Sequence, residues 1–271
     1  MCEWIINRGL NVNNCIWNRK PYNSTALIHA ARFGHKEIVS LLIRRGADIH
    51  FKNYHENTAL IQAAKKGRAE VADNLLQEGA NIEDKDYDGR TPLIHAVFRG
   101  HYVTADLLIR KGANLNHRDG HGRSSLYLAV AFGHEDMVKL LIDRNANTEA
   151  EDSTGGTALT RASWMGNVNI MKLLIDSGAS KVHKDKFELT PLCHAEIWGH
   201  KEGMILLSGK SNENDHSHSL YKIDEILSIL REEDGTVPGL MKITNSVIPE
   251  QWVAEETSSS SGGDPESATE A

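Results

Sequence analysis

The chain repeats itself every 33 residues, and that period leaves few architectures open. The stretch "STALIHAARFGHKEIVSLLIRRGAD" (24–48) returns as "RTPLIHAVFRGHYVTADLLIRKGAN" (90–114). A hydroxyl residue leads each unit: Thr25, Thr58, Thr91, Ser124, Thr157 and Thr190. A glycine follows at the same step: Gly34, Gly67, Gly100, Gly133, Gly166 and Gly199. Six occurrences of each without a slipped residue are not chance. A unit this short cannot bury an apolar face alone, so the units must stack on one another.

Each unit has the signals of two short helices. Thr91-Pro92 reads as a helix start, Thr as N-cap and Pro at the first helical position, where its missing N–H costs nothing. Leu93 and Ala96 then fall on one helical face, and Gly100 ends the helix. A second helix follows with an apolar cluster such as Val39, Leu41, Leu42 and Ile43. It stops at Gly46, Gly79, Gly112, Asn145 and Gly178, positions that need a left-handed backbone. The one non-glycine is Asn, which tolerates that conformation best. A polar turn such as Asp86-Tyr87-Asp88-Gly89 closes the unit, and small Ala residues in the first helix let neighbours stack closely. The expected fold is all-α: a solenoid of about six 33-residue helix-turn-helix units.

At these residues the sequence resembles the ankyrin-repeat family, with its T-P-L-x-x-A-x-x-x-G-H and L-L-x-x-G-A-[DN] signatures. The best copies are 20–52, 53–85, 86–118, 119–151 and 152–184, with a sixth at 185–210. One departure is systematic. Where the family usually has His after T-P-L, this chain has Ile28, Ile61, Ile94, Tyr127, Thr160 or Cys193, and His29, His95 and His194 come one place later. The hydrogen bonds of the family's His are therefore not carried over. Trp4-Ile5-Ile6-Asn7-Arg8-Gly9 aligns with Leu41-Leu42-Ile43-Arg44-Arg45-Gly46, so residues 1–19 read as a partial repeat, second helix and turn only. The expectation is a fragment of a longer protein, or an end that packs on something else. Toward the other end, Ile49, Ile82 and Leu115 give way to Thr148 and Lys181, and the last C-cap glycine to Ser211, as a capping unit should.

Composition narrows function mainly by exclusion. No run approaches 18 apolar residues, and the N-terminus lacks a signal-peptide pattern. Cys2, Cys15 and Cys193 are scattered, which fits a reducing compartment, cytoplasm or nucleus. Several short motifs tempt. "LLSGKS" (206–211) resembles the end of a phosphate-binding loop, but five residues separate Gly203 from Gly209 where four are needed. "HAE" (194–196) has the His-x-Glu of zinc deaminases without the Pro-Cys-x-x-Cys that goes with it. "DHSHS" (215–219) reads as a solvated loop, and the sequon at Asn23 as a repeat turn. No catalytic set can be spaced out of this sequence, and the expectation is a non-enzyme with no metal and no cofactor.

What the resemblance implies about binding is a concave surface made by turn tips and first-helix ends. Of the 12 aromatics between residues 20 and 210, nine fall on those positions: Tyr22, Phe33, Tyr54, Tyr87, Phe98, Phe132, Trp164, Phe187 and Trp198. Aromatics ordinarily serve the core, yet here the core reads as Leu, Ile and Ala, and rings on a surface mark binding hot spots. The competing reading is that some rings only cover neighbouring turns. Two ladders run along the face: Phe33, Lys66, Arg99, Phe132, Met165, Trp198, and Arg32, Lys65, Phe98, Ala131, Trp164, Ile197. One half is basic (Arg32, Lys65, Lys66, Arg99) and the other apolar (Phe132, Trp164, Met165, Ile197, Trp198). The expected partner is a protein segment with acidic residues at one end and large apolar residues at the other. Nucleic acid is not expected, because residues 1–210 hold 27 basic and 24 acidic residues and the basic ones of this face cover two or three repeats; membrane and small-molecule substrates are not expected either.

The net charge of −7 belongs to the tail, where residues 211–271 hold 3 basic and 13 acidic residues. Residues 211–231 read as a linker and an amphipathic helix with Leu220, Ile223, Ile226, Leu227 and Leu230 on one face. Residues 232–271 read as an acidic, Ser-rich disordered tail, with Ser261 and Ser267 in an acidic phosphorylation context. Such a tail is also able to shield the basic patch. The functional expectation is an adaptor or scaffold. Two alternatives stay open. One is an inhibitor masking a transcription factor, since the layout resembles the inhibitors of NF-kappa-B without their N-terminal degradation motif. The other is a targeting fragment of a larger enzyme or channel. An ankyrin/SOCS-box substrate receptor is disfavoured, because the tail lacks that box's Leu-Cys-Arg and Leu-Pro-Leu-Pro elements.

Overall fold

The computed structural model describes residues 11–14 and 23–209. The expectations for residues 1–10, Tyr22, the apolar face at 220–230, Ser261 and Ser267 lie outside these residues. The described part is a run of helix hairpins joined by turns, with an isolated β-bridge between Arg118 and Ser124. The inner helices are α1 (Ala26–Phe33), α3 (Ala59–Lys65), α5 (Pro92–Phe98), α7 (Ser125–Ala131), α9 (Ala158–Met165) and α11 (Pro191–Ile197). The outer helices are α2 (Lys36–Arg44), α4 (Ala69–Gln77), α6 (Tyr102–Arg110), α8 (Glu135–Asp143), α10 (Val168–Asp176) and α12 (Lys201–Ser208). Both series start at 33-residue steps.

The hydroxyl residues cap the inner helices. The Oγ of Thr25, Thr58, Thr91, Ser124, Thr157 and Thr190 accepts from the backbone N–H three residues on, at 3.2–3.5 Å. This satisfies one of the orphan donors of each helix start. Most residues at the outer-helix N-caps behave differently. His35, Arg68, His101, His134 and His200 make no side-chain cap bond, and only Asn167 does, accepting from the Ile170 N–H at 3.2 Å. Several of them reach back one unit instead. His101, His134 and His200 donate through Nε2 to the carbonyls of Lys65, Phe98 and Trp164 at 3.2, 3.4 and 3.0 Å. A carbonyl can only accept, so Nε2 carries the hydrogen in all three. Arg68 does the same through Nε to the Arg32 carbonyl.

Leucine repeats at the centre of the core. Leu42, Leu75, Leu108, Leu141, Leu174 and Leu207 of the outer helices are all buried, as are Leu27, Leu60, Leu93, Leu126 and Leu159 of the inner ones. Of the apolar cluster in α2, Val39 and Leu42 are buried, while Leu41 and Ile43 lie half-buried at its margin. Ala30, Ala63, Ala96, Ala129, Ala162 and Ala195 are buried where inner helices of successive units meet. The inner helices consequently pack on one another more extensively than the outer helices do. Second turns are tied across units as well. The Asp48, Asn114, Asn147 and Ser180 N–H groups donate to Asn13 Oδ1, Glu83 Oε1, Asn116 Oδ1 and Glu149 Oε1 at 2.7–3.0 Å. The turn at 11–14 thus docks on the first hairpin as later units dock on theirs.

Left-handed residues punctuate the chain at the expected places, Asn145 among them at φ 61°. The last outer helix departs from the period. It ends at Ser208 with Gly209 as a left-handed C-cap, two residues before the position of Ser211. A second left-handed position, at the turn tips, was not anticipated: Glu56, Gly89, Gly122, Gly155 and Glu188. The two glutamates sit at φ 59° and 61°, each paired with a lysine four residues earlier, Lys52 at 3.3 Å and Lys184 at 2.8 Å. A left-handed non-glycine costs about 1–2 kcal/mol. The exposed lysine pairs return little, and glycine's own entropy costs about 0.5–1 kcal/mol. Replacing both glutamates with glycine should therefore stabilise the chain only slightly, read as a small rise in the thermal midpoint. A lower midpoint would show that the lysine pairs outweigh the backbone.

Candidate partner-binding surface

The first turn of each of the last five units is built on one carboxylate or amide: Asn53, Asp86, Asp119, Asp152 and Asp185. Its Oδ1 accepts from the N–H groups two and four residues ahead, at 2.8–3.1 Å, in all five turns. The side chain does what a backbone turn would, which is why Asp and Asn are chosen. Successive turns then bond to each other. The N–H groups of Tyr87, Gly120, Ser153 and Lys186 donate to the carbonyls of His55, Asp88, His121 and Thr154 at 2.8–3.2 Å. The turn tips thus form one continuous, register-locked edge. The step of these Asp and Asn residues was visible in the sequence, but its role was not read there.

The second carboxylate oxygen takes one of three kinds of partner. Asp86 and Asp185 accept from His95 and His194 Nε2, both at 2.8 Å. His194 is thus a buried structural residue of α11, not half of a deaminase motif. Asp119 takes Arg123 through two nitrogens, at 3.0 and 2.7 Å. Asp152 takes the hydroxyl of Tyr127, whose pKa burial and then the Asp152 charge push well up.

His95 is held neutral. Burial lowers its pKa most, and the Asp86 hydrogen bond works against that without overcoming it. Burial would raise Asp86, but the His95 bond, with the Arg90 backbone and charge, keeps it below its ordinary value. Burial also lowers His29 and His101, with help from nearby cations. The unfolded chain takes up these protons near pH 6.5, where the folded chain still excludes them. Unfolding therefore gains protons, and stability falls as pH drops below about 6.5, while it is level above about 7. Urea midpoints at about pH 7.5 and pH 5.5 should show the decline. Since Gln62 is the buried residue at the same step one unit earlier, His95→Gln should make the decline shallower. An equally steep decline would assign the effect elsewhere.

Along the tips, Tyr87 is 84% exposed, Tyr54 59% and Phe187 38%. On the inner-helix ends, Phe33, Met165 and Trp198 are exposed, while Arg32, Lys65, Lys66, Phe98, Arg99, Phe132, Trp164 and Ile197 are half-buried. Four rings pack across units. Phe98 meets Phe132 edge-on at 4.5 Å between centroids, and Trp164 meets Trp198 at 5.3 Å. These rings join units as well as facing outward. Ala131, between Phe98 and Trp164 in its ladder, is buried.

At the basic end, Arg32 lies over the Phe33 ring at 5.8 Å and Arg99 over Phe98 at 5.1 Å. Beneath the surface, Arg90, Arg123 and Arg161 are buried cations that sequence reasoning missed. Arg161 covers the Trp164 ring at 4.1 Å. Arginines four residues past a turn Asp, or on an inner-helix face, were the available signal. Among the described residues no group of three His, Cys, Asp or Glu is placed to hold a metal ion, and no helix is long and apolar enough to cross a membrane.

A model of the family described as ankyrin repeats, three copies, matches residues 1–86, 38–119, 80–152 and 118–185. The hairpin α11–α12 lies beyond these windows. A search of curated proteins returned no match. Capped inner helices, stacked turns and a family match over residues 1–185 agree, and the chain belongs to the ankyrin-repeat family of protein–protein interaction modules.

Proposed function

We propose that the chain is a non-enzymatic adaptor or scaffold, working in the cytoplasm or nucleus, that holds a segment of a protein partner along its turn tips and inner-helix ends. The carrying observation is where apolar surface is left out. Among the described residues, Phe33, Tyr54, Tyr87, Met165, Phe187 and Trp198 are exposed on this one face. The other exposed large apolar side chains, Tyr102, Val103, Val182 and Ile205, are scattered over outer helices and second turns. Clustered exposed aromatics are the residues that carry binding energy at interfaces. The charge gradient, basic at α1, α3 and α5 and apolar at α9 and α11, supports a partner acidic at one end and apolar at the other. Nucleic acid, membrane and small-molecule substrates are not part of this reading.

The test must not open the array. Trp164 and Trp198 pack on each other, so truncating them mixes binding with stability. Phe33, Tyr54 and Tyr87 are mostly free of the neighbouring units and are better targets. A full-length Phe33→Ser, Tyr54→Ser, Tyr87→Ser variant should lose its captured proteins by about tenfold or more. A Tyr102→Ser, Val103→Ser variant on the outer helix α6 should keep them. Capture is read by quantitative mass spectrometry of affinity-purified material. Equal capture by both variants, or loss only with the outer one, would move the site off this face.

A further inference from the structure

The edge of turn tips changes character in its middle. Tyr54 and Tyr87 stand on the tips of the second and third units, but the next two tips carry only Gly120 and Ser153, and Lys186 follows on the sixth. The glycine has a steric reason. A Cβ on Gly120 would lie 3.0 Å from the Asp88 carbonyl oxygen, the same oxygen that takes the Gly120 N–H at 2.8 Å. The edge therefore has a gap, with exposed Tyr87 on one side and exposed Phe187 on the other.

Two exposed cations reach Ser153 at this gap. Arg118 Nη2 and the Ser153 nitrogen lie 3.0 and 2.9 Å from the point that a Cβ on Gly122 would occupy, which sets the guanidinium beside the Ser153 backbone. Lys186 Nζ donates to the Ser153 carbonyl at 2.8 Å, and Arg118 Nε donates to the Gly122 carbonyl at 2.8 Å. Each head group is anchored by one hydrogen bond and keeps its remaining donors. Among the described residues, no carboxylate is at ion-pair distance from Arg118 or Lys186, and the exposed Ser153 hydroxyl makes no hydrogen bond. The exposed carboxylates of adjoining tips face other groups. Asp88 takes Arg90 at 2.9 Å, Glu188 takes Lys184 at 2.8 Å, and Glu151 lies 3.6 Å from His183.

Anchored cations lose less freedom when they take an anion. One guanidinium, one ammonium and one hydroxyl match the single charge and two oxygens of a carboxylate. A phosphoryl group, with about −1.5 to −2 charges and three acceptor oxygens, calls for more than one guanidinium fork.

We propose that this gap is the subsite for an acidic side chain of the partner segment: Arg118 and Lys186 hold its carboxylate, the Ser153 hydroxyl donates to it, and Tyr87 and Phe187 take its apolar neighbours. This rests on the reading that a protein segment lies along this face. It sets an acidic residue opposite the middle units and thereby fixes the segment's register on the tips.

The experiment uses the full chain and three degenerate peptide libraries, alike except for a fixed central Glu, Gln or phosphoserine. The Glu library should be retained about fivefold better than the Gln library. Arg118→Gln with Lys186→Gln should erase that preference. Ser153→Asp should lower it, by filling the gap with a carboxylate of the chain itself. Arg44→Gln with Arg45→Gln removes the same charge from the exposed end of α2 and should keep it. Equal retention of the Glu and Gln libraries by the unchanged chain would overturn the proposal, and so would best retention of the phosphoserine library. Loss of the preference in the Arg44, Arg45 variant would assign it to general charge. An unaltered preference in the Ser153→Asp variant would place the anion elsewhere. A clear fall in the thermal midpoint of the Arg118, Lys186 variant would make the two side chains braces of the turns. None of these results touches the wider surface reading, which the Phe33, Tyr54 and Tyr87 variant tests by itself.

Discussion

Arg123→Ala is expected to destabilise the chain by about 3–5 kcal/mol, the largest effect of any single surface-turn substitution. The Asp119 side chain is fully buried and that of Arg123 is 4% exposed. Two Arg123 nitrogens saturate Asp119 Oδ2, while Oδ1 is occupied by the His121 and Arg123 N–H groups. Alanine keeps the backbone donor and strips the guanidinium, leaving half of a buried carboxylate without a partner. That is the expensive way to break a buried pair, since the desolvated charge remains. Relief of repulsion on Arg90 and Arg161, both of which feel the Arg123 charge, offsets part of the loss. Urea unfolding measures it. Adding Asp119→Asn should recover most of the stability, because an Asn already holds the equivalent turn at residue 53 through the same two N–H bonds. A cost under about 1 kcal/mol for Arg123→Ala would mean that water replaces the guanidinium and the site is not dry. The same turn carries the partner-facing edge, so the double variant separates stability from binding.

The second large effect separates two reasons for one glycine. Gly67 and Gly133 have the same backbone, φ 68° in both. A Cβ on Gly133 would meet nothing within 4 Å, whereas one on Gly67 would lie 2.7 Å from His101 Nδ1. Gly133→Ala should cost about 1–2 kcal/mol, the left-handed penalty alone. Gly67→Ala adds displacement of the His101 ring and loss of its bond to the Lys65 carbonyl, at about 1–2 kcal/mol more. The pair of denaturation midpoints should therefore differ, with Gly67→Ala the lower. Equal midpoints would show that His101 swings away without penalty and that its hydrogen bond contributes nothing.

Much of the scaffold was legible because it is local and periodic. The Thr25-type caps bond within three residues, and Leu93 and Ala96 face inward because helical geometry leaves them no choice. Asn145 stands for glycine because its side chain tolerates the same backbone. The turn anchors were half legible: their period is plain, but the use of Oδ1 for two backbone donors shows only in the folded turn. The partner surface was legible as a set of positions and not as an arrangement. Trp164 and Trp198 occupy expected positions, yet their edge-on packing divides them between stabilising and binding. The arginines behind the face escaped notice because a charged residue four places past a turn reads as solvated until its carboxylate is seen.

The sequence by itself determined the helix-turn-helix unit, its caps, its stops and its stacking, since each depends on contacts within one unit or with an identical neighbour. Only the tertiary structure decided which side chains pair. Asp86 meets His95, Asp119 meets Arg123, and Phe98 leans on Phe132. Those pairings depend on side-chain rotamers and packing, over four residues for Asp119–Arg123, nine for Asp86–His95 and a full unit for Phe98–Phe132. A repeat period sets which positions are neighbours, and the chemistry of each unlike pair then sets what the neighbours do.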